Sequence, residues 1–234
     1  TNSILPVTIT NTGTSDLVIS NMTSSDVHYT FAPNTFPITI GSGLNQVINV
    51  TFAPTASGLV TGNLTITHNA TGSPTVYSLQ GTGVEATFTI APPNLNFGNV
   101  VLGSNATLQA TVSNPGTSNL VISNLTSSNI QYTFAPNVFP IIILPGGNQV
   151  FDVTYTPTTL GLSTADLTFT HNATGSPTVY SLQGTGVEPG FGISPASLDF
   201  GSVIVGTNSI LPVTITNTGT SDLLISNITS SDVH

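Results

Sequence analysis

A period of 103 residues governs this chain. The segment HNATGSPTVYSLQGTGVE at residues 68–85 returns unchanged at 171–188, and the opening TNSILPVTITNTGTSDL returns at Thr207, two periods later. An ungapped period of this length means tandem copies of a whole domain, because solenoid units repeat every 20–50 residues or so. In such an array, length, stiffness and repeated surface carry the function, and no single copy has to perform a reaction. Residues 1–28 match 207–234 at 26 of 28 positions, differing only at Val18/Leu224 and Met22/Ile228, but match 104–131 at 15 of 28. Alternate copies are therefore the more alike, which is the pattern of an A-B-A-B array.

Composition narrows the function classes. There is no lysine or arginine in 234 residues, nine carboxylates give a formal charge of −9, and charged residues make up 4% of the chain. Ordinary domains carry roughly 25% charged residues, so the surface here must be hydrated by Thr, Ser, Asn and Gln. Without basic side chains nothing neutralises phosphate, which excludes nucleic acid as a partner and makes anionic membrane surfaces unattractive. Ion pairs between side chains are limited to those a protonated histidine makes. Cysteine is absent, so disulfides and thiolate chemistry contribute nothing. No run of 18 apolar residues occurs, so no helical membrane insertion is expected in this window, and no secretion signal pattern is present. The chain opens partway through a repeat, so we expect an internal piece of something longer, with export and anchoring signals elsewhere. A polar uncharged surface without trypsin sites suits an extracellular or cell-surface setting.

The fold class read from the sequence is all-β. Thr, Val and Ile favour half-buried pleated surfaces, and period-two alternation recurs at matched places. Leu5, Val7 and Ile9 alternate with Pro6, Thr8 and Thr10. Ile48, Val50 and Phe52 match Phe151, Val153 and Tyr155; Leu64, Ile66 and His68 match Leu167, Phe169 and His171; Tyr77 and Leu79 match Tyr180 and Leu182. Turn signals such as Asn11-Thr12-Gly13, Asn114-Pro115-Gly116, Ala53-Pro54 and Thr156-Pro157 separate the runs. Seven or eight short strands per copy and no helical pattern predict tandem immunoglobulin-like β-sandwiches, with a closed barrel the weaker alternative. The expected domains are 1–85, lacking its first strand; 86–188, complete; and 189–234, the N-terminal part of a third.

The residues then resemble a known family. Leu95-Asn96-Phe97-Gly98-Asn99-Val100, followed by Gly103, is similar to the opening L-x-F-G-x-V-x-x-G of Hydin-type (ASH) immunoglobulin-like domains. Leu198-Asp199-Phe200-Gly201-Ser202-Val203 and Gly206 repeat it. Asn114, Gly116, Leu120 and Ile122 match the family's N-x-G-x-x-x-L-x-I; Val50-Thr51-Phe52-Ala53-Pro54 and Leu79-Gln80-Gly81-Thr82-Gly83 match V-x-F-x-P and L-x-G-x-G. The chain is similar throughout to the tandem bacterial surface proteins called choice-of-anchor D. That resemblance implies a structural or binding module and brings no catalytic residues.

Site signals are few. His68 and His171 occur once per copy, far short of the three or four convergent ligands of a metal centre, and read as strand-end histidines with local hydrogen bonds. His28 and His234 are replaced by Gln131 in the second copy, which argues against a shared ligand role. Gly81-Thr82-Gly83 and Gly184-Thr185-Gly186 lack the following helix that a phosphate loop requires. Glu85 and Glu188, one acid per junction, fall short of the 6 to 8 oxygens calcium takes. Thr-x-Thr runs such as Thr8/Thr10 and Thr65/Thr67 read as solvent-facing strand positions, since a twisted sheet offers no flat lattice. Eight Asn-x-Ser/Thr sequons occur, of which Asn69 and Asn172, in turn-like Asn-Ala-Thr-Gly-Ser-Pro, are the candidate glycosylation sites. No catalytic constellation, metal site or cofactor is expected.

Two functions follow. The first is a non-enzymatic structural array, with domains stacked end to end in an extracellular filament, sheath or stalk that self-associates along its axis. The alternative is an adhesin recognising a glycan or a protein. Sugar binding favours exposed aromatics, yet there is no Trp, and Tyr29/Tyr132 and Tyr77/Tyr180 read as framework, which favours structure. An incomplete copy at each end is expected to be completed by further copies in a continuous chain, or, as the rival, by a strand from another molecule.

Overall fold

The computed structural model describes residues 2–231, and all regular structure in them is β. The chain forms two compact units, Thr1–Ala86 with Gly116–Ser118, and Thr87–Pro115 with Asn119–His234. No helix among the described residues is long and apolar enough to cross a membrane.

The first repeat contains β1 (Ser3–Thr10), β2 (Leu17–Ser24), β3 (Tyr29–Ala32), β4 (Ile38–Ile40), β5 (Asn45–Phe52), β6 (Gly58–His68) and β7 (Thr75–Gly83). They make a three-stranded sheet β1-β5-β3 and a four-stranded sheet β4-β2-β6-β7. The core lies between them, where Ile48 and Val50 from β5 meet Leu64 and Ile66 from β6 together with Ile19, Met22 and Tyr29.

The second repeat adds two strands at its start: β8 (Thr89–Ala91), β9 (Leu95–Val101), β10 (Ala106–Ser113), β11 (Leu120–Ser127), β12 (Tyr132–Ala135), β13 (Ile141–Ile143), β14 (Asn148–Tyr155), β15 (Gly161–His171) and β16 (Thr178–Val187). Its sheets are β12-β14-β10-β8 and β13-β11-β15-β16-β9. The complete repeat thus has nine strands rather than seven or eight, because short β8 and β13 lie beneath the length that alternation can reveal. Phe151 of β14 meets Phe169 of β15 edge-on, ring centroids 5.3 Å apart, joining the two sheets, and both are buried. Beyond it β17 (Phe191–Ser194) pairs with β18 (Thr214–Asn217), which repeats the β8–β10 pairing one period on.

β9 explains the L-x-F-G-x-V spacing. Leu95, Phe97 and Val100 are all buried although strict alternation would turn Val100 outward. The strand runs parallel to β16, with Leu95 opposite Leu182, and its register shifts before Asn99 meets Thr185. That bulge sits at Gly98, whose φ of 62° is the left-handed conformation a side chain disfavours, and the Gly98 N–H donates to Asn96 Oδ1 at 3.0 Å. The extra residue resets the phase, so Val100 rejoins the core.

Candidate docking groove

Lacking a strand equivalent to β9 among its described residues, the first repeat leaves β7 as a sheet edge. Between β7 and β1 runs a groove of about 490 Å³ whose floor is Leu5, Tyr29, Phe52, Tyr77, Leu79 and Gly81. Tyr29 and Phe52 stack there, centroids 4.9 Å apart and planes 25° from parallel. Gly81 lets Phe52 lie flat beneath β7, since a Cβ at that position would come within 2.5 Å of its ring. Leu5, expected on the buried face of β1, is instead 68% exposed, with no strand equivalent to β9 among the described residues of this repeat. Tyr77, read from the sequence as framework, is 47% exposed.

The second repeat shows the same floor covered. Tyr132 and Tyr155 stack at 4.5 Å, and Phe97 packs its ring 5.7 Å from each. Tyr180 falls to 2% exposure, and its hydroxyl donates to the Pro92 carbonyl at 2.9 Å. Burial pushes that phenol up to about 12, so it stays a donor throughout the ordinary pH range. Tyr29 and Tyr132 are likewise raised by burial, and donate to the Val60 and Ser163 carbonyls.

The histidines fall where the strand reading put them. His68 Nε2 lies 2.9 Å from Thr75 Oγ1 and His171 Nε2 2.9 Å from Thr178 Oγ1, and in each the Nδ1 accepts the N–H two residues on, from Ala70 or Ala173. His171 is further covered by Phe88, stacked 4.4 Å away and nearly parallel, and that burial lowers its pKa below the usual imidazole value. His28 Nδ1 pairs with Asp26 Oδ1 at 2.7 Å. The same carboxylate accepts the His28 N–H, and these hydrogen bonds, the backbone one foremost, hold Asp26 below the ordinary carboxylate range. In the second copy Asn129 accepts the Gln131 N–H in the same way without charge. His234 lies outside the described residues.

The remaining candidates are tied into backbone. Asn69 Oδ1 accepts the Val18 N–H while its Nδ2 donates to Asp16 O; Asn172 repeats both bonds with Val121 and Asn119. Both residues are exposed. The Glu85 carbonyl accepts the Thr117 and Ser118 N–H groups, and the Glu188 carbonyl those of Thr220 and Ser221. Glu85 Oε1 takes a hydrogen bond from Ser57. No group of three or more potential metal ligands converges among the described residues. Buried Asn11 was legible only as a turn residue. Its Nδ2 donates to the Ser15 and Ile40 carbonyls and its Oδ1 accepts from Gly13, closing three backbone groups of the Asn-x-Gly turn.

No match was found among curated proteins. Among solved structures, the chain is similar to a protein of unknown function from Porphyromonas gingivalis W83, at 17% identity over 79% of this chain and 91% of that one, TM-score 0.40. It is also similar to the ASH/PapD-like domain 7 of human CEP192, at 14% identity over 44% and 87%, TM-score 0.37. A third is the secreted serine protease VesC from Vibrio cholerae, at 10% identity over 74% of this chain and 46% of that one, TM-score 0.35. Likeness at this level bears on neither activity nor partners. The model of the HYDIN/CFA65/VesB-like immunoglobulin-like domain matches residues 5–82 and again 86–185, one match for each sandwich described above. The chain belongs to the HYDIN/CFA65/VesB-like family of immunoglobulin-like domains.

Proposed function

We propose that this is a non-enzymatic structural repeat protein that builds an extracellular filament, sheath or surface stalk by stacking immunoglobulin-like domains end to end. The observation that carries the reading is the ungapped 103-residue period, which places one β-sandwich after another with only Val84, Glu85 and Ala86 between β7 and the next copy. A linker of that length has no room to act as a flexible coil. The surface supports the same reading. Without Lys or Arg it carries no trypsin sites, and its polar character comes from Thr, Ser and Asn. The groove of about 490 Å³ in the first repeat is lined by polar side chains such as Ser3, Ser78 and Gln80 as well as by Leu5, Tyr77 and Leu79. Electron microscopy of the protein purified from its native source tests the proposal. Thin unbranched fibres or stalks with a regular axial repeat are expected. Discrete globular particles that bind immobilised glycans would favour the adhesin reading instead.

A further inference from the structure

We infer that the outer face of β15 and β16 carries a binding site for a neutral sugar unit of a polysaccharide, and that the matching face of β6 and β7 carries a second. This goes beyond the stacking of domains and does not depend on it.

In the complete repeat a basin of about 370 Å³ opens on that face, within the range of roughly 300–1,000 Å³ usual for small-molecule clefts. The strand ladder builds it. Thr164 lies opposite Gln183 and Asp166 opposite Ser181, and all four are exposed. Ala165 and Leu182 between them turn inward and are buried. Ser128 and Asn94 complete the polar lining.

Hydrogen bonds within the chain fix part of this lining and leave part of it open. The Asp166 N–H donates to Ser128 Oγ at 2.9 Å, and the Ser181 hydroxyl donates to Asp166 Oδ1 at 3.1 Å. Asp166 Oδ2 and the side-chain amides of Asn94 and Gln183 have no partner among the described residues. The carboxylate is thus oriented through one oxygen and offers the other.

The first repeat has the same basin. Ser25, Thr61, Ser78 and Gln80 stand in the places of Ser128, Thr164, Ser181 and Gln183, around about 440 Å³. The Asn63 N–H donates to Ser25 Oγ at 2.9 Å, as Asp166 does to Ser128. In this shared lining only Asn63 for Asp166 and Gly62 for Ala165 differ. On the outer face of the other sheet, by contrast, Ile4, Pro6 and Asn49 give way to Thr107, Gln109 and Asp152. A basin that recurs with the same hydroxyls and glutamine, in two copies whose other faces diverge, sets this surface apart.

The lining selects the ligand. With no Lys or Arg in the chain and Asp166 at the centre, phosphates, sulfates and acidic sugars are repelled. Calcium takes several carboxylates, and no three metal-ligating side chains converge among the described residues. Apolar ligands find little, since the apolar residues of the lining, Leu95, Ala165 and Leu182, are buried. What fits is a ligand whose groups both donate and accept, the hydroxyls of a neutral sugar. Asp166 Oδ2 accepts from one hydroxyl, in a charge-assisted bond about twice as strong as a neutral one, and the Gln183 amide serves a neighbouring pair. Without an aromatic platform each basin binds weakly. Copies one period apart engage a single polymer together, and linked sites gain avidity without new contacts.

The test titrates the isotope-labelled 234-residue chain with glucose, mannose and galactose, then with dextran, mannan and galactan, and follows amide resonances. Saturable shifts at Asp166, Ser181 and Gln183 are expected for at least one sugar, with its polymer at least about 10-fold tighter per sugar unit. Asp166→Ala, on an exposed side chain, should leave the fold intact by circular dichroism and weaken the second-repeat response at least about 10-fold. Gln183→Ala should weaken it independently, and Asp166→Asn, which recreates Asn63, should lie between Asp166→Ala and the parent chain. Asp152→Ala, an exposed acid on the other sheet, should change nothing. No shift with any probe, shifts confined to other surfaces, or binding undiminished in both Asp166→Ala and Gln183→Ala would each overturn the proposal. So would the same shifts with calcium chloride alone, which would make the basin a cation site. None of these readouts involves fibre formation, so failure here leaves the filament reading standing, and failure of the filament leaves the basin.

Discussion

Two identical stretches of sequence behave differently in the two repeats. TVYSLQGTGV is a sheet edge with a half-exposed tyrosine at 75–84 and an inner strand with a buried one at 178–187. The same contrast runs along β1 and β10: Leu5 is exposed and its counterpart Leu108 half-buried, and Ile9 is half-buried where Val112 is buried. Nothing local separates the two TVYSLQGTGV stretches. What differs among the described residues is the segment ahead of β10, in which Phe88, just before β8, stacks on His171 and β9 lays Phe97 on the two tyrosines.

The contrast can be broken at several points. The largest effects are expected in the filled core. Phe151→Ala should cost about 3–5 kcal/mol, while Asp152→Ala on the opposite face should cost under about 1 kcal/mol. Hydrogen exchange resolved by repeat measures both, and equal effects would mean that the register of β14 is wrong. Tyr180→Ala should also cost about 3–5 kcal/mol in the second repeat, and Tyr77→Ala under about 1 kcal/mol in the first, measured on dilute chain. If the two cost the same, the added layer is not what distinguishes the copies.

Gly98→Val should cost about 1–2 kcal/mol, since a side chain is forced into the left-handed region inside a paired strand. Gly201→Val, in the unpaired repeat of that motif, should leave thermal unfolding of the dilute chain unchanged. A loss from Gly201→Val as large as that from Gly98→Val would show that its bulge is already load-sharing within one chain.

Acid should separate the copies next. His171 has its pKa lowered by burial, so below the ordinary imidazole value of about 6.5 the unfolded chain takes up the proton more readily than the folded one. Stability of the second repeat is therefore full above that value and falls as pH drops below it, and His171→Gln should flatten the dependence. In the first repeat the lowered Asp26 acts at more acid pH. Its contribution is present above the ordinary carboxylate value and is lost as pH falls through the lower folded one. Asp26→Asn, which recreates Asn129, should remove it. A second repeat whose unfolding free energy, taken from exchange rates corrected for their intrinsic pH dependence, ignores pH between neutrality and the carboxylate range would contradict the burial of His171.

Salt should do least. His28–Asp26 is the single side-chain ion pair among the described residues, and it is local. Screening should leave the melting temperature nearly unchanged between low and molar sodium chloride. A steep fall would point to charge interactions that a chain without Lys or Arg does not contain.

Much of this was legible in the residues, and the reasons are specific. Phe151, Val153 and Tyr155 alternate with polar neighbours, so their inward face followed from the two-residue period. His68 and His171 ended strands with local hydrogen bonds because one histidine per copy leaves nothing else for the ring to do. The L-x-F-G-x-V motif fixed where the opening strand lies. Its departure from alternation was less visible, because a bulge at one glycine resets the phase without any change of composition. The buried role of Asn11 was hidden for a different reason: a turn-forming asparagine and one that closes three backbone groups look alike until the carbonyls it reaches, Ser15 and Ile40, are brought together.

By itself, then, the sequence determined the repeat, the all-β class, the facing of the central strands β5, β6, β14 and β15, and the exclusion of basic and thiol chemistry. These depend on periodicity and composition, which are local and countable. Only the tertiary structure decided which copies of the same strand are covered. Burial is a property of neighbours contributed by distant residues, so Tyr77 and Tyr180, identical in every local respect, come to rest on opposite sides of the boundary between surface and core.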